Sequence, residues 1–504
     1  MSEKSARILI CTPEITYLPD GMGNISNKLK AKAGGMADVT AALVGALFEQ
    51  GADVHVALPH YRRMFGVEIG NLIDKELARY REILSEDRIH LAEDRAFYYR
   101  DTVYSYSNSG ANDKLALAFQ RELINNIIPR VKPDVIHAND WMTGLIPAYA
   151  RRLGIPSLFT VHNIHTHKVS LADIEDAGID AAMFWNLLYF DRPPAHYEET
   201  RETNMVDLLC SGIFASHFIN SVSPTFLEEV VEGRHDFVPG NIAHELWNKS
   251  SNGVGCGILN APDEEHNPST DDSLHTTYNT TTVVEGKREN KVALQRELKL
   301  TEDPDAPLFF WPSRLDPVQK GCQLVTDILF HMVSKYADSG LQVAVIANGP
   351  HQEHFHNVVH HHDLASRVAV VDFDERLSHL GYGAADFVLM PSLFEPCGLP
   401  QMIGCLYGSL PIAHDTGGLH DTVQHLHANQ GNGFVFEDFG SDGLMWAVDQ
   451  AMAFYSQTPK KREREVQRIM KEAQARFTHA ECAKKYVELY QKMTERPVLP
   501  NVAT

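Results

Sequence analysis

Residues 386–418 read DFVLMPSLFEPCGLPQMIGCLYGSLPIAHDTGG. An apolar run closes on Pro391 and Ser392, a single acid, Glu395, follows, and a second apolar run suits a helix. A third apolar run then leads into Gly417 and Gly418. Strand, helix and strand in so short a span make a βαβ unit, which requires a parallel sheet. Acidic side chains are almost never fully buried without a partner. In open parallel sheets ligands sit beyond the carboxyl ends of the strands, where Glu395 stands. Its bland alternative is an acid near the positive end of a helix dipole.

The same alternation extends in both directions. Upstream lie RILICTPEI, ADVHVALP, DVIHAND, PSLFTVHN and INSVSP, with the helical GGMADVTAALVGALFEQG after the first. PLFFWPSRL, QVAVIANG and RVAVVDF follow in the second half. Two open α/β domains are expected, since 504 residues exceed one hydrophobic core. The boundary is expected near 255–262, giving domains at 1–258 and 259–475 and a helical tail at 476–504 that returns to the first domain. The polar stretch 266–290, rich in Thr, Asn and Asp, reads as a linker or extended surface segment.

Composition narrows the function. The formal charge of −21, from 45 basic and 66 acidic side chains, argues against nucleic acid or an anionic membrane as partner. Cysteines at 11, 210, 256, 322, 397, 405 and 482 show no CxxC spacing and read as reduced thiols. No signal peptide or membrane-spanning run is legible, so a cytoplasmic enzyme is expected.

Polar residues that close the strands are the candidates for chemistry. In KAKAGGMADV, Lys32 with Gly34 and Gly35 suits an anion at a helix start, or is an ordinary glycine turn. In SRLDPVQKG, Arg314 and Lys320 suit a diphosphate, or form a solvated basic loop. His137, Asp140, His162 and Asn163 close two strands of the first half and suggest a polar pocket, although single histidines in such places are often structural. HQEHFHNVVHHHD reads as a solvated helix rather than a metal site, and no metal is expected.

Together these stretches resemble the bacterial-type glycogen and starch synthases, retaining glycosyltransferases of the GT-B fold. KAGGMADV matches K-T-G-G-L-A-D-V, and HANDWMTGLIPAY matches H-x-H-D-W-H-x-G-L-x-P. GILNAPDEEHNPSTD matches G-I-L-N-G-I-D-x-x-x-W-N-P-x-T-D. FTVHNI, SVSPTF, GKRENKVALQ, SRLDPVQKG, FEPCGL and TGGLHDTV complete the series in the family's order. The resemblance implies an α/β fold of two Rossmann-like domains facing a central cleft. It implies glucosyl transfer from ADP-glucose or UDP-glucose to the non-reducing end of an α-1,4-glucan, with retention and no cofactor.

Roles follow from the same resemblance. Lys32, Gly34 and Gly35 would meet the donor diphosphate, and Arg314 and Lys320 would neutralise it. Asp38, Asp140, His162 and Asn260 would line the glucose and acceptor side. Glu395 would face the donor sugar or ribose, with Cys397, Gly398 and Leu399 nearby, and Thr416, Gly417 and Gly418 by the phosphates. Some positions depart from the pattern: Ala33, Asn139, Met142, Thr166, His167, Lys168, Cys210, Leu393, Leu406 and His414-Asp415. The stretch Ile15–Ala31 looks inserted and is expected to overhang the cleft. The departures keep two other readings open, a different acceptor and a catalytically degenerate glucan-binding or regulatory homologue.

Overall fold

The computed structural model describes residues 5–19, 21–23, 29–33, 35–65, 88–105 and 109–500. It divides into two compact units, Met1–Val222 with Leu227–Leu259 and His479–Thr504, and Ser223–Phe226 with Asn260–Thr478.

The strands of the first unit are β1 (Arg7–Cys11), β2 (Asp53–Pro59), β3 (Ile89–Ala92), β4 (Val135–Asn139), β5 (Ser157–Val161), β6 (Lys168–Val169), β7 (Val206–Asp207), β8 (Phe218–Ser221) and β9 (Gly255–Gly257). All but β6 and β7, which form a small antiparallel pair, join one parallel sheet in the order β3-β2-β1-β4-β5-β8-β9. Helices cover both faces of such a sheet, so its strands read as unbroken apolar runs. In β1, Ile8, Leu9, Ile10 and Cys11 are fully buried.

The helix His479–Thr494 belongs to this unit, and its tyrosines enter a buried polar chain. The Tyr490 hydroxyl lies 2.7 Å from Nδ1 of His137, whose Nε2 lies 2.6 Å from Oγ1 of Thr160. Thr160 donates to Asn220 Oδ1 at 2.5 Å, and Asn220 donates to the Tyr486 hydroxyl at 3.0 Å. His137 is thus a satisfied core group and leaves the pocket expected of the strand-closing residues. Burial holds its pKa down at about 3.

The second unit holds β10 (Leu308–Trp311), β11 (Gln342–Ile346), β12 (Val368–Val371), β13 (Phe387–Met390), β14 (Leu410–His414) and β15 (Phe434–Phe436), all parallel in the order β12-β11-β10-β13-β14-β15. In each sheet the winding reverses once, at β1/β4 and at β10/β13. The crevice at such a reversal is where doubly wound sheets hold ligands.

The stretch 266–290 is not a linker. Asp271, Leu274, Tyr278 and Val283 are buried, and the helix Val283–Glu297 begins within it. Its polar residues close turns: Asn267 Oδ1 accepts from Ser269 N–H at 3.0 Å, and Asn279 Oδ1 from Thr281 N–H at 2.8 Å. Lys287 and Lys291, from the GKREN motif, are buried in the core. Lys287 Nζ donates to the carbonyls of Tyr382 and Tyr407 and to Ser409 Oγ, and burial lowers its pKa to about 7. Lys291 Nζ meets Asp386 Oδ2 at 2.6 Å.

Residues 20 and 24–28 of the inserted stretch lie outside the described residues, and the described part mixes the exposed Tyr17 with a buried set. Leu18, Met22, Leu29 and Ala31 are buried, and Ile15 pairs with Ala31 as an antiparallel bridge. The histidine-rich segment forms the helix Gln352–His361, with Phe355 buried and His354, His356, His360 and His361 exposed. Among the described residues, no helix is long and apolar enough to cross a membrane.

Candidate active site

At the β10/β13 reversal the loop after β10 brings Lys320 to the loop after β13. Lys320 Nζ lies 2.6 Å from Glu395 Oε2, and Ser392 Oγ donates to the same oxygen at 3.0 Å. Glu395 is 4% exposed, and its Oε1 makes no hydrogen bond to a described residue. Glycines make the approach possible. Gly321 has φ +68, and a Cβ on it would fall 1.9 Å from the Pro391 carbonyl oxygen. Leu393 N–H donates to Gln319 O at 2.8 Å, which locks the two loops together. Arg314 is exposed, and its guanidinium makes no hydrogen bond or ion pair with a described residue.

The TGG turn packs directly on this loop. A Cβ on Gly417 would lie 2.2 Å from the Glu395 carbonyl oxygen, and one on Gly418 2.0 Å from that of Cys397. Gly418 N–H donates to Glu395 O at 2.8 Å. These two glycines are therefore demanded by backbone packing, whatever else Thr416, Gly417 and Gly418 touch. Gly398, at φ +72, and Leu399 lead into the helix Pro400–Tyr407. Cys397 is buried, and its carbonyl accepts from Gln401 Nε2 at 3.0 Å. Asn260 begins the unit half-buried. Asp421, also in the TGGLHDTV motif, holds Ser223 Oγ at 2.5 Å and Thr225 Oγ1 at 2.7 Å.

At the β1/β4 reversal of the first unit, Asp140 follows β4 with φ 55 and ψ −178, a conformation otherwise almost restricted to glycine. Its carboxylate accepts from His162 N–H at 2.8 Å and from Asn163 Nδ2 at 3.2 Å. Burial, with Glu14 nearby, pushes its pKa up to about 7. His162 Nε2 lies 2.9 Å from Asn139 Oδ1, and Asn139 Nδ2 donates to the Cys11 carbonyl at 3.0 Å. This orients the Asn139 amide, so His162 carries its proton on Nε2. Burial lowers the His162 pKa to about 4, leaving the ring neutral.

Lys32 pairs with Asp38 at 2.8 Å before the helix Gly35–Glu49, while Gly34 lies outside the described residues. Glu14 is the acid that the motifs missed. It is 2% exposed, accepts the Ala33 N–H at 2.8 Å and so supports the Lys32 loop. It closes the β1 run in RILICTPE, so the strand-end rule that singled out Asp140 could have found it.

The altered HNIHTHK stretch is also knit tightly. Thr166 Oγ1 donates to Asp207 Oδ1 at 2.7 Å, His167 stacks on Trp141 at 4.2 Å and meets Asp113 at 2.6 Å, and Lys168 pairs with Asp191 at 2.7 Å. Cys210 is buried and its thiol is pushed far up by desolvation.

Residues 7–239 match the model of the starch synthase catalytic domain, and residues 296–471 match that of the glycosyl transferases group 1. The glycogen synthase of Syntrophotalea carbinolica is 31% identical over 498 residues, 92% of this chain and 96% of that protein. The chain belongs to the glycogen synthase family. Another relative, the glycogen synthase of Geobacillus thermodenitrificans, is 30% identical over 92% of this chain and 96% of its own. The catalytic domain of Arabidopsis thaliana starch synthase IV, solved with ADP and acarbose, superposes with a TM-score of 0.75 at 25% identity, covering 98% of this chain and all of that one. This glycogen synthase-family protein is thus a hexosyltransferase with the GT-B fold, catalysing glucosyl transfer in glycogen or starch synthesis.

Proposed function

We propose that the enzyme takes glucose from ADP-glucose and adds it, with retention, to the non-reducing 4-hydroxyl of an α-1,4-glucan in the cytoplasm. The observation that carries this reading is the Lys320–Glu395–Ser392 cluster at the β10/β13 reversal, with the exposed Arg314 guanidinium on the same loop as Lys320. Family membership supports the glucan acceptor, and ADP in the starch synthase IV structure supports adenine over uracil.

Cleavage of the sugar–phosphate bond leaves a nucleoside diphosphate whose charge must be stabilised. In the second unit this role goes to Arg314, bidentate on a phosphate, to Lys320, and to the amides of Gly398 and Leu399 at a helix N-terminus. Fixed donors of this kind need neither a cofactor nor a metal. Glu395 keeps Lys320 in place with Oε2 and offers Oε1 to a ribose or sugar hydroxyl. In the first unit neutral His162 offers Nδ1 to a glucose hydroxyl, while Asp140 holds the His162 backbone. Only Glu395 of the second-unit cluster is a carboxylate, so the pair that a glycosidase uses to flank its bond is not assembled there.

Radiolabelled ADP-glucose and UDP-glucose, each supplied with glycogen and with short maltooligosaccharides, test the reading. Label enters polymer from ADP-glucose and is released by α-amylase if it holds. Preferential use of UDP-glucose would reverse the donor assignment. Donor binding without polymer would point to another acceptor, and neither binding nor turnover would point to a glucan-binding or regulatory protein.

A further inference from the structure

A second polar cluster in the second unit takes no part in the chemistry above. Glu265 and His266 lie in the turn that follows Asp263, and His379 lies on the helix Glu375–Ala384. One ligand atom from each lies within 4.8 Å of the others. The imidazoles of His266 and His379 stack with centroids 4.8 Å apart and planes at 27°. Zinc takes imidazole nitrogen and carboxylate oxygen at ~2.0–2.2 Å, so the three side chains would close inward on a shared ion.

The surroundings prepare one of these ligands. His379 Nδ1 lies 2.8 Å from Asp271 Oδ2, and the same carboxylate oxygen accepts from the Tyr407 hydroxyl at 2.5 Å. A carboxylate on Nδ1 fixes the tautomer and turns Nε2 into the available ligand, the arrangement that supports metal-bound histidines. Asp271 is 6% exposed and is fixed by its own turn, its Oδ1 accepting from Ser273 N–H at 2.9 Å.

We propose that Glu265, His266 and His379 form a site for a divalent transition-metal ion of the Zn²⁺ class, with Asp271 as the outer partner of His379. Two imidazoles and one carboxylate suit a borderline ion, and water completes four-coordination. Its role is structural: the ion ties the 263–276 segment to the helix Glu375–Ala384. This proposal stands apart from the donor and acceptor assignments.

The full chain, stripped by chelator and dialysed, is titrated with Zn²⁺ alone by calorimetry and with Co²⁺ followed by visible absorption. One tight equivalent is expected, together with a Zn²⁺-dependent rise in Tm. His266→Ala and Glu265→Gln, both in the turn, are expected to weaken that equivalent at least about 100-fold and abolish the rise. Asp271→Asn should weaken it by about 10- to 100-fold. The combined His354→Ala/His356→Ala/His360→Ala variant should keep it, because those histidines sit on the solvated helix. No tight equivalent in the unmodified chain, equal binding by His266→Ala, or loss only in the triple variant would overturn the site.

Discussion

At the β10/β13 reversal, Glu395 is buried with an ammonium 2.6 Å away; at the β1/β4 reversal, Asp140 is equally buried, with only amide donors on its carboxylate. The first acid is charge-balanced and sits in loops fitted together by glycines. The second is not balanced, has its pKa raised to about 7, and is held with φ 55 in a backbone conformation that costs about 1–3 kcal/mol. A fold has no stability reason to keep an unbalanced buried carboxyl on strained backbone, so its persistence at a sheet reversal points to function. The comparison also divides the motifs. FEPCGL and TGGL follow the family pattern in the second unit, while the HAND and HNIHTHK stretches of the first depart from it and are held by internal contacts of Thr166, His167 and Lys168.

The largest expected effect is that of Glu395→Gln. Transfer should fall by about 10³-fold or more. Lys320, part-buried and left without its anion, loses a charged hydrogen bond worth about 1.5–3 kcal/mol in urea unfolding. Turnover within tenfold of the unmodified enzyme would remove Glu395 from the reaction and break the comparison.

Asp140→Asn should lower activity by about 10²-fold while improving stability at alkaline pH. An unfolded aspartate titrates near 3.9, whereas Asp140 holds its proton to about 7. Between these values the folded state binds more protons, so this residue makes stability fall as pH rises, by up to about 4 kcal/mol at pH 8. His162 and His137, with pKa values of about 4 and about 3, act in the opposite sense, and stability falls as pH drops below 6.5. Urea midpoints at pH 5 and pH 8 should therefore diverge less from the acid side in the unmodified chain than in Asp140→Asn. Identical pH profiles would mean that Asp140 is not held protonated.

Arg314→Ala should raise the donor Kd by about 10- to 100-fold, the worth of a charged hydrogen-bonding contact, with Tm unchanged because the side chain is exposed and makes no hydrogen bond to a described residue. Unchanged donor affinity would remove Arg314 from the diphosphate. Lys32→Ala should have the smallest effect, under about tenfold on donor Kd, because Asp38 already engages its half-exposed ammonium at 2.8 Å.

The sheets were legible because parallel strands buried on both faces leave apolar runs that nothing else in the chain imitates. Polar residues closing those runs were legible for the same reason: Glu395, Asp140 and His162 follow strand ends, and Lys320 stands in the loop between β10 and the next helix. What the runs do not carry is pairing across distance. Nothing local says that Lys320 meets Glu395 across 75 positions, or that Asn139 holds His162 across 23. Polarity misled at 266–290, where Asn and Asp serve turns within a packed segment. It misled again at His137, whose buried partners come from the far C-terminal helix, and at Lys287 within that segment, which spends its charge on core carbonyls.

The glycines at 321, 417 and 418 each let one main chain rest against another where any side chain would collide with a carbonyl. A lineage could therefore exchange its donor base or its acceptor while these letters stayed fixed, since they guard the assembly of a loop rather than the choice of a sugar.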